Sequence, residues 1–178
     1  MSSILTQNFF ELFSLPLQYA FDRAILDARY RDLQRSVHPD RFASAPDQER
    51  RLSMQASTRV NEAFQTLKDP LSRALYLLSL YPAPEPDAVP QDTAFLMEQM
   101  ELRETLAEAS GARDPLAAVG AVLDHIARSE RAIATDLANL FGDPNQIPAA
   151  HAAVRKLQFL DKCRRDAEAL ETELDLGA

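Results

Sequence analysis

The chain has 178 residues, enough for one or two small domains, and its hydrophobic fraction of 46% is too high for a disordered protein. Only four glycines, set among many Leu, Ala, Glu and Arg residues, favour helix over sheet. The one cysteine, Cys163, excludes a disulfide within the chain and a metal site built from cysteines alone.

The charge is distributed unevenly along the chain. Residues 1–81 carry 10 Lys and Arg against 9 Asp and Glu, whereas residues 82–178 carry 9 against 18. This disfavours nucleic acid as a partner of the second half, because such binding needs cations to displace counterions. No leader pattern and no apolar run of membrane-spanning length occur, so we expect a soluble protein of a reducing compartment, most simply a bacterial cytoplasm.

Helix signals begin near the N-terminus. Asn8, followed three residues later by Glu11, predicts a short helix with a capping box. Asp22 predicts the start of a second, Arg-rich helix. This helix must end near His38, because Pro39 disfavours helical backbone in the residue before it.

The helices on either side of His38 are predicted to pair through their apolar faces. The upstream face comprises Leu26, Tyr30, Leu33 and Val37, and the same period resumes downstream at Leu52, Ala56, Val60, Ala63 or Phe64, and Leu67. The downstream helix is predicted to start at Ser44 and to run to about Lys68. Together the two patterns predict an antiparallel helical hairpin whose tip displays a polar loop.

A fourth helix and a connector follow. Asp69 and Pro70 predict a helix that runs to about Tyr81, and its stretch 74–80 is apolar nearly all round, which predicts burial. Four of the nine residues 82–90 are proline, so this stretch is predicted to be a stiff, extended connector. The predicted organisation is an N-terminal domain over 1–81, a connector over 82–91 and a C-terminal domain over 92–178.

The C-terminal domain contains three predicted helices. Their expected limits are Asp92 to Gly111, Asp114-Pro115 to Gly142, and Pro148 to about Leu174. Connections this short are typical of an antiparallel three-helix bundle. The predicted fold class is therefore all-α, with an N-terminal helical hairpin followed by this bundle.

The first bundle helix has two apolar faces. Viewed down the helix axis, one apolar stripe lies within about 40° of Phe95. That stripe comprises Leu102, Leu106 and Ala109. A second stripe lies at about 100° to 240° and mixes Leu96, Met97 and Met100 with Glu101, Glu104 and Glu108. Two interpretations fit the second stripe: another element covers it, or it is a surface that binds a protein.

The loop tripeptide His38-Pro39-Asp40 and its surroundings resemble a J-domain, the module by which co-chaperones engage a heat-shock ATPase chaperone. An Arg-rich helix precedes the tripeptide, Arg41-Phe42 follows it, and the stretch 60–73 closes the segment. The resemblance implies that His38, Pro39 and Asp40 contact the chaperone. We expect the nearby cations to steer the approach to an acidic chaperone surface; these are Arg31, Arg35 and Arg41.

Nearly the whole chain resembles the HscB family of iron–sulfur co-chaperones, most clearly at 92–104, 154–162 and 76–80. The resemblance implies a J-domain that stimulates an HscA-type ATPase and a C-terminal patch that binds an IscU-type scaffold. By position, the apolar contacts are Leu96, Met97, Met100 and Phe159, with acidic support from Glu101, Glu104 and Glu108. Met100 replaces an expected leucine, a swap that conserves volume. We expect no metal site, no cofactor and no catalytic activity of the chain's own.

Two further functions are considered. One is a general J-domain co-chaperone that serves a different client. The other is a small hydrolase that uses His38 and Asp40, although acid–base catalysis also needs a pocket and an orienting partner. The remaining histidines, His125 and His151, lie far apart and lack the spacing of metal ligands, and Cys163 falls on a predicted core face.

Overall fold

In the computed structural model, residues 2–42, 44–90 and 92–177 are described. Contacts between Cα atoms divide the chain into two compact units, Met1–Leu77 and Leu78–Ala178. The predicted domain limits at residues 1, 91 and 178 lie outside the described residues, and the predicted boundary at 81/82 stays a prediction. Within the described ranges every regular element is helical, which confirms the all-α fold class.

The N-terminal unit consists of short helices around one long hairpin. Its elements are α1 (Ser2–Thr6), α2 (Phe9–Leu12), α3 (Arg23–Val37), a 3-10 turn (Pro39–Phe42) and α4 (Asp47–Lys68). It also contains α5 (Pro70–Ser79) up to Leu77, and the last two residues of that helix belong to the second unit. α3 and α4 form the predicted hairpin. Leu26, Val37, Val60 and Leu67 are each no more than 1% exposed, and the ring of Tyr30 stacks on that of Phe64 at 3.9 Å.

Three of the four predicted helix starts in this unit are confirmed, including that of α5, where Pro70 is the first residue and the Asp69 carboxylate accepts from the Ser72 amide at 2.7 Å. The Asn8 side chain accepts a hydrogen bond from the Glu11 amide at 2.9 Å, and the Glu11 carboxylate accepts one from the Asn8 amide at 3.0 Å. Asp22 caps α3 by accepting from the Ala24 amide at 2.8 Å. The prediction of Ser44 as the cap of α4 is wrong. Pro46 occupies that position with an extended ψ of 152°, so the helix begins one residue after the proline.

The predicted all-round burial of the fourth helix is also wrong. Ala74, Leu77 and Leu78 are buried, but Leu75 and Leu80 remain about 40% exposed. Leu75 therefore lies on the solvent side of this ten-residue helix, and Leu80 follows its last residue; single exposed apolar side chains of this kind are normal on a protein surface.

The C-terminal unit contains three long helices: α6 (Thr93–Ala109), α7 (Pro115–Leu140) and α8 (Ile147–Gly177). The Asp92 carboxylate accepts from the Phe95 amide at 2.9 Å, and the Asp114 carboxylate accepts from the Ala117 amide at 3.1 Å. Both predicted caps and the antiparallel bundle are thus confirmed. The connector is not extended throughout, because Pro86–Ala88 form one 3-10 turn.

The bundle core takes its residues from all three helices. Leu102 of α6, Ile126 of α7 and Leu160 of α8 are each at most 6% exposed. Cys163 lies in the same cluster, as predicted, and burial raises the pKa of its thiol. In the described part of the chain, no helix combines the length and apolar composition needed to cross a membrane.

Candidate functional site

The His38-Pro39-Asp40 loop is a tight turn at the end of α3. His38 leaves the helical region with ψ of 129°, and its carbonyl accepts from the Arg41 amide at 3.1 Å. The Asp40 amide points to Nδ1 of His38 at 3.3 Å. The side chain of His38 is 53% exposed and that of Asp40 is 90% exposed. The turn therefore has a fixed backbone and presents its polar groups to solvent.

Ser53 fixes the base of this loop from the opposite helix. It is fully buried, and its hydroxyl donates to the carbonyl of Val37 at 2.7 Å. That carbonyl belongs to the last turn of α3, where no helical amide can reach it. Sequence reasoning missed Ser53. The available signal was a polar residue three positions before Ala56, on the buried stripe of α4.

The three arginines near the loop make different contacts. Nη1 of Arg41 donates to the carbonyl of Arg35 at 3.1 Å, which satisfies another carbonyl at the C-terminus of α3. Nη2 of Arg35 lies 2.8 Å from the carboxylate of Asp32, and both side chains are more than 70% exposed. Arg31 is also exposed. The structure brings Arg35 and Arg41 together and leaves Arg31 one turn earlier on the helix.

The arrangement does not favour a hydrolase. Nδ1 of His38 lies 3.5 Å from Oδ2 of Asp40, but both side chains stand on an open tip. A general acid–base pair gains its catalytic strength from a site that excludes water and orients a substrate.

Sequence reasoning also missed an open groove beside Pro39. Arg50, Arg51 and the 60% exposed Met54 line it.

The apolar patch on α6 faces solvent. Leu96, Met97 and Met100 are 58%, 62% and 72% exposed. Among the described residues no other element covers them, and the first interpretation of this stripe is wrong. We call these three side chains the apolar crest of α6. Three such residues on one turn of helix are unusual for a soluble surface and are typical of a binding site.

Acidic side chains border the crest. Glu101, Glu104 and Glu108 are all exposed. One turn earlier, Oε1 of Glu98 lies 3.7 Å from Nε2 of His125 on α7. Glu98 and Glu101 therefore lie on the side of α6 that approaches α7.

Phe159 is more buried than the three side chains of the crest. It is partly buried and packs against the bundle core. Its ring meets that of Phe95 edge to face at 5.6 Å, and the guanidinium of Arg103 lies 5.3 Å from its centroid. Phe159 is thus a rigid aromatic at the edge of the core, whereas the crest is made of flexible chains.

An ion pair joins the start of α6 to α8. The ammonium of Lys156 donates a short hydrogen bond to the Asp92 carboxylate and lies 5.2 Å from the ring centroid of Phe95. The hydrogen bond from Lys156, with those from backbone amides, lowers the pKa of Asp92. In the described ranges, no group of His, Cys, Asp and Glu is arranged to hold a metal ion.

Comparison with known proteins agrees with this architecture. The family model described as the HSCB C-terminal oligomerisation domain matches residues 91–168. A co-chaperone protein HscB homolog from Shewanella woodyi is 40% identical over 171 residues, with 94% of this chain and 98% of the relative covered. The chain belongs to the HscB co-chaperone family. A homolog from Burkholderia multivorans is 44% identical over 174 residues, with the same shares covered.

Solved structures of this family have the same fold. Chaperone HscB from Vibrio cholerae is 40% identical and superposes with a TM-score of 0.82, covering 94% of this chain and 99% of that one. Human co-chaperone protein HscB is 31% identical with a TM-score of 0.81, covering 92% of this chain and 82% of the human one. The likeness therefore extends over both units of the chain.

Proposed function

We propose that this chain stimulates the ATPase of an HscA-type heat-shock chaperone and delivers an IscU-type iron–sulfur scaffold to it. One observation carries the proposal. The chain has a rigid, exposed His-Pro-Asp tip in one unit and an exposed apolar crest with an acidic border in the other. A protein that brings two partners together needs two such surfaces.

The loop is suited to recognising a chaperone surface. Its backbone is held by Ser53 and Arg41, so little conformational entropy is lost when a partner binds. We propose that Arg31, Arg35 and Arg41 add positive charge near the tip, of which Asp32 offsets that of Arg35, and that this charge speeds encounter with an acidic surface. We propose that His38, Pro39 and Asp40 make the direct contacts. ATP hydrolysis itself belongs to the chaperone.

The crest is suited to holding the scaffold. Methionine side chains adapt their shape to a partner, and Leu96 adds a branched apolar contact. We propose that Leu96, Met97, Met100 and Phe159 supply the apolar contacts, and that Glu101, Glu104 and Glu108 attract a basic scaffold surface.

Joining the two surfaces in one chain raises the local concentration of scaffold around the chaperone. The second binding event becomes intramolecular, with an effective concentration on the order of millimolar for a short linker. In this way ATP turnover would be coupled to cluster release or transfer. We place this role in the cytoplasm and propose that the chain needs no cofactor.

The test combines three purified components. Steady-state ATPase of an HscA-type chaperone is measured with this chain alone, with an IscU-type scaffold alone, and with both. We expect each to raise the rate and the two together to raise it more than the sum. If the chain stimulates the ATPase but does not retain the scaffold in a pull-down, the client is another protein and the general co-chaperone function replaces this one.

The domain limits can be tested in the same assay. We propose a J-domain over 1–81, a connector over 82–91 and a scaffold-binding domain over 92–178. The fragment 1–81 should fold, because the α3–α4 hairpin buries its own core, and it should stimulate the ATPase without binding scaffold. A soluble, folded fragment that gives no response at high concentration would contradict the modular organisation.

A further inference from the structure

A groove lies between α6 and α8, next to the apolar crest. Its α6 wall is formed by Phe95, Leu96 and Gln99, and its α8 wall by Ala152, Arg155 and Lys156. The residues of each wall follow helical spacing, so both walls run along the helices. Leu96 belongs to both the groove and the crest. The groove, about 310 Å³ in volume, is therefore continuous with the proposed scaffold surface.

Arg155 gives this groove its positive charge. The other cation, Lys156, is already paired with the Asp92 carboxylate and lies over the ring of Phe95. Arg155 is exposed and forms no ion pair with any residue in the described ranges. It stands in a half of the chain where Asp and Glu outnumber Lys and Arg by 18 to 9. An exposed guanidinium in such surroundings can donate two parallel hydrogen bonds to one carboxylate of a partner.

The opposite side of α6 has the reverse charge. There a second groove, toward α7, is lined by Glu98, Glu101 and His125. The apolar crest thus lies between a groove with a free cation on the α8 side and a carboxylate-rich groove on the α7 side. A partner that docks on the crest meets different charges at its two edges.

We propose that Arg155, supported by the amide of Gln99, binds an acidic side chain of the IscU-type scaffold and fixes the orientation in which the scaffold docks. This inference rests on the proposed function. The acidic border and the crest attract the scaffold but leave it free to rotate about the crest. A cation at the opposite edge removes that freedom, because the reversed orientation places like charges together at both edges.

The full chain is titrated with an apo IscU-type scaffold, and calorimetry measures the binding affinity at low and at moderate salt. Arg155→Glu should weaken binding by about tenfold or more and Arg155→Ala by about threefold to fivefold, because reversal adds repulsion to the loss of a contact. Arg128→Glu is the matched control. It makes the same charge change on α7, about 200° around the helix from the buried Ile126, and should change the affinity less than about twofold.

A charge reversal on the scaffold completes the test. Scaffold variants with single Asp or Glu residues changed to Lys are titrated against Arg155→Glu, and one of them should restore most of the lost affinity. Thermal melts check that Arg155→Glu folds normally; should it not, Arg155→Gln takes its place. Equal effects of Arg155→Glu and Arg128→Glu would overturn the role of Arg155. Failure of the unaltered chain to bind any scaffold would instead overturn the proposed function.

Discussion

The two proposed binding surfaces are built in opposite ways. The His-Pro-Asp tip is a backbone structure: a proline ends α3, and hydrogen bonds from Ser53 and Arg41 satisfy the carbonyls that the helix leaves open. The α6 surface is a side-chain structure on an uninterrupted helix, where Leu96, Met97 and Met100 project from a regular backbone.

This difference determines how each surface responds to mutation. At the tip, the exposed side chains can be changed without loss of stability, whereas the buried Ser53 that holds the turn cannot. On α6, the outcome depends on each side chain's own burial, which ranges from the open Met100 to the half-buried Phe159.

The largest effect is expected at the tip. Asp40→Asn and His38→Gln should each reduce stimulation of the chaperone ATPase severely, by about 2 kcal/mol or more in apparent affinity, as central interface residues do. Both side chains are exposed, so the melting temperature should not change. Glu62→Gln, an exposed change on α4, serves as control. Normal stimulation by a folded tip variant would show that the loop does not contact the chaperone.

The buried anchor of the tip comes next. Ser53→Ala leaves the Val37 carbonyl buried without its donor and should lower stability by about 1–3 kcal/mol. For a unit of this size, each kcal/mol corresponds to about 4–8 °C in melting temperature. Ser36→Ala is the matched control, because its exposed hydroxyl also donates to a carbonyl, that of Leu33 at 2.7 Å. Equal melting shifts for the two variants would mean that Ser53 does not hold the loop.

At the proposed scaffold surface, Phe159→Ala and Met97→Ala should differ in their effect on stability. Phe159→Ala should cost about 1–3 kcal/mol of stability, less than the ~3–5 of a fully buried ring, and should also weaken scaffold binding. Met97→Ala should weaken binding by roughly 1–3 kcal/mol with unchanged melting. Met54→Ala, at 60% exposure, is a matched methionine control. Strong destabilisation by Met97→Ala would show that Met97 packs in the protein core and is not an exposed contact.

The same contrast explains what the sequence could predict. The loop, the caps at Asn8, Asp92 and Asp114, and the apolar faces depend on local rules of backbone and spacing, so they were predictable. The pairing of Lys156 with Asp92 depends on which helix faces which, and residues 64 positions apart give no such signal. Ser44 failed as a cap for a local reason, because Pro46 already sets the backbone before α4.

The structure contributes a constraint that the sequence lacked. It places Glu98 and Glu101 toward α7 and Arg155 toward α8, on opposite sides of one apolar crest. A partner must therefore match a charge pattern across the helix and not only an apolar patch.

The smallest effect is expected for Glu104→Lys, and it should appear in the rate. Glu104 is exposed at the border of the crest, so its charge acts through solvent and is screened by salt. We expect slower scaffold association at low ionic strength, a much smaller difference near 0.5 M salt, and little change in dissociation. Glu173→Lys, the same charge change near the end of α8, separates this local effect from the change in net charge. If both variants slow association equally, steering depends on the overall acidity of the bundle; if Glu104→Lys mainly speeds dissociation, the carboxylate makes a direct contact in the bound complex.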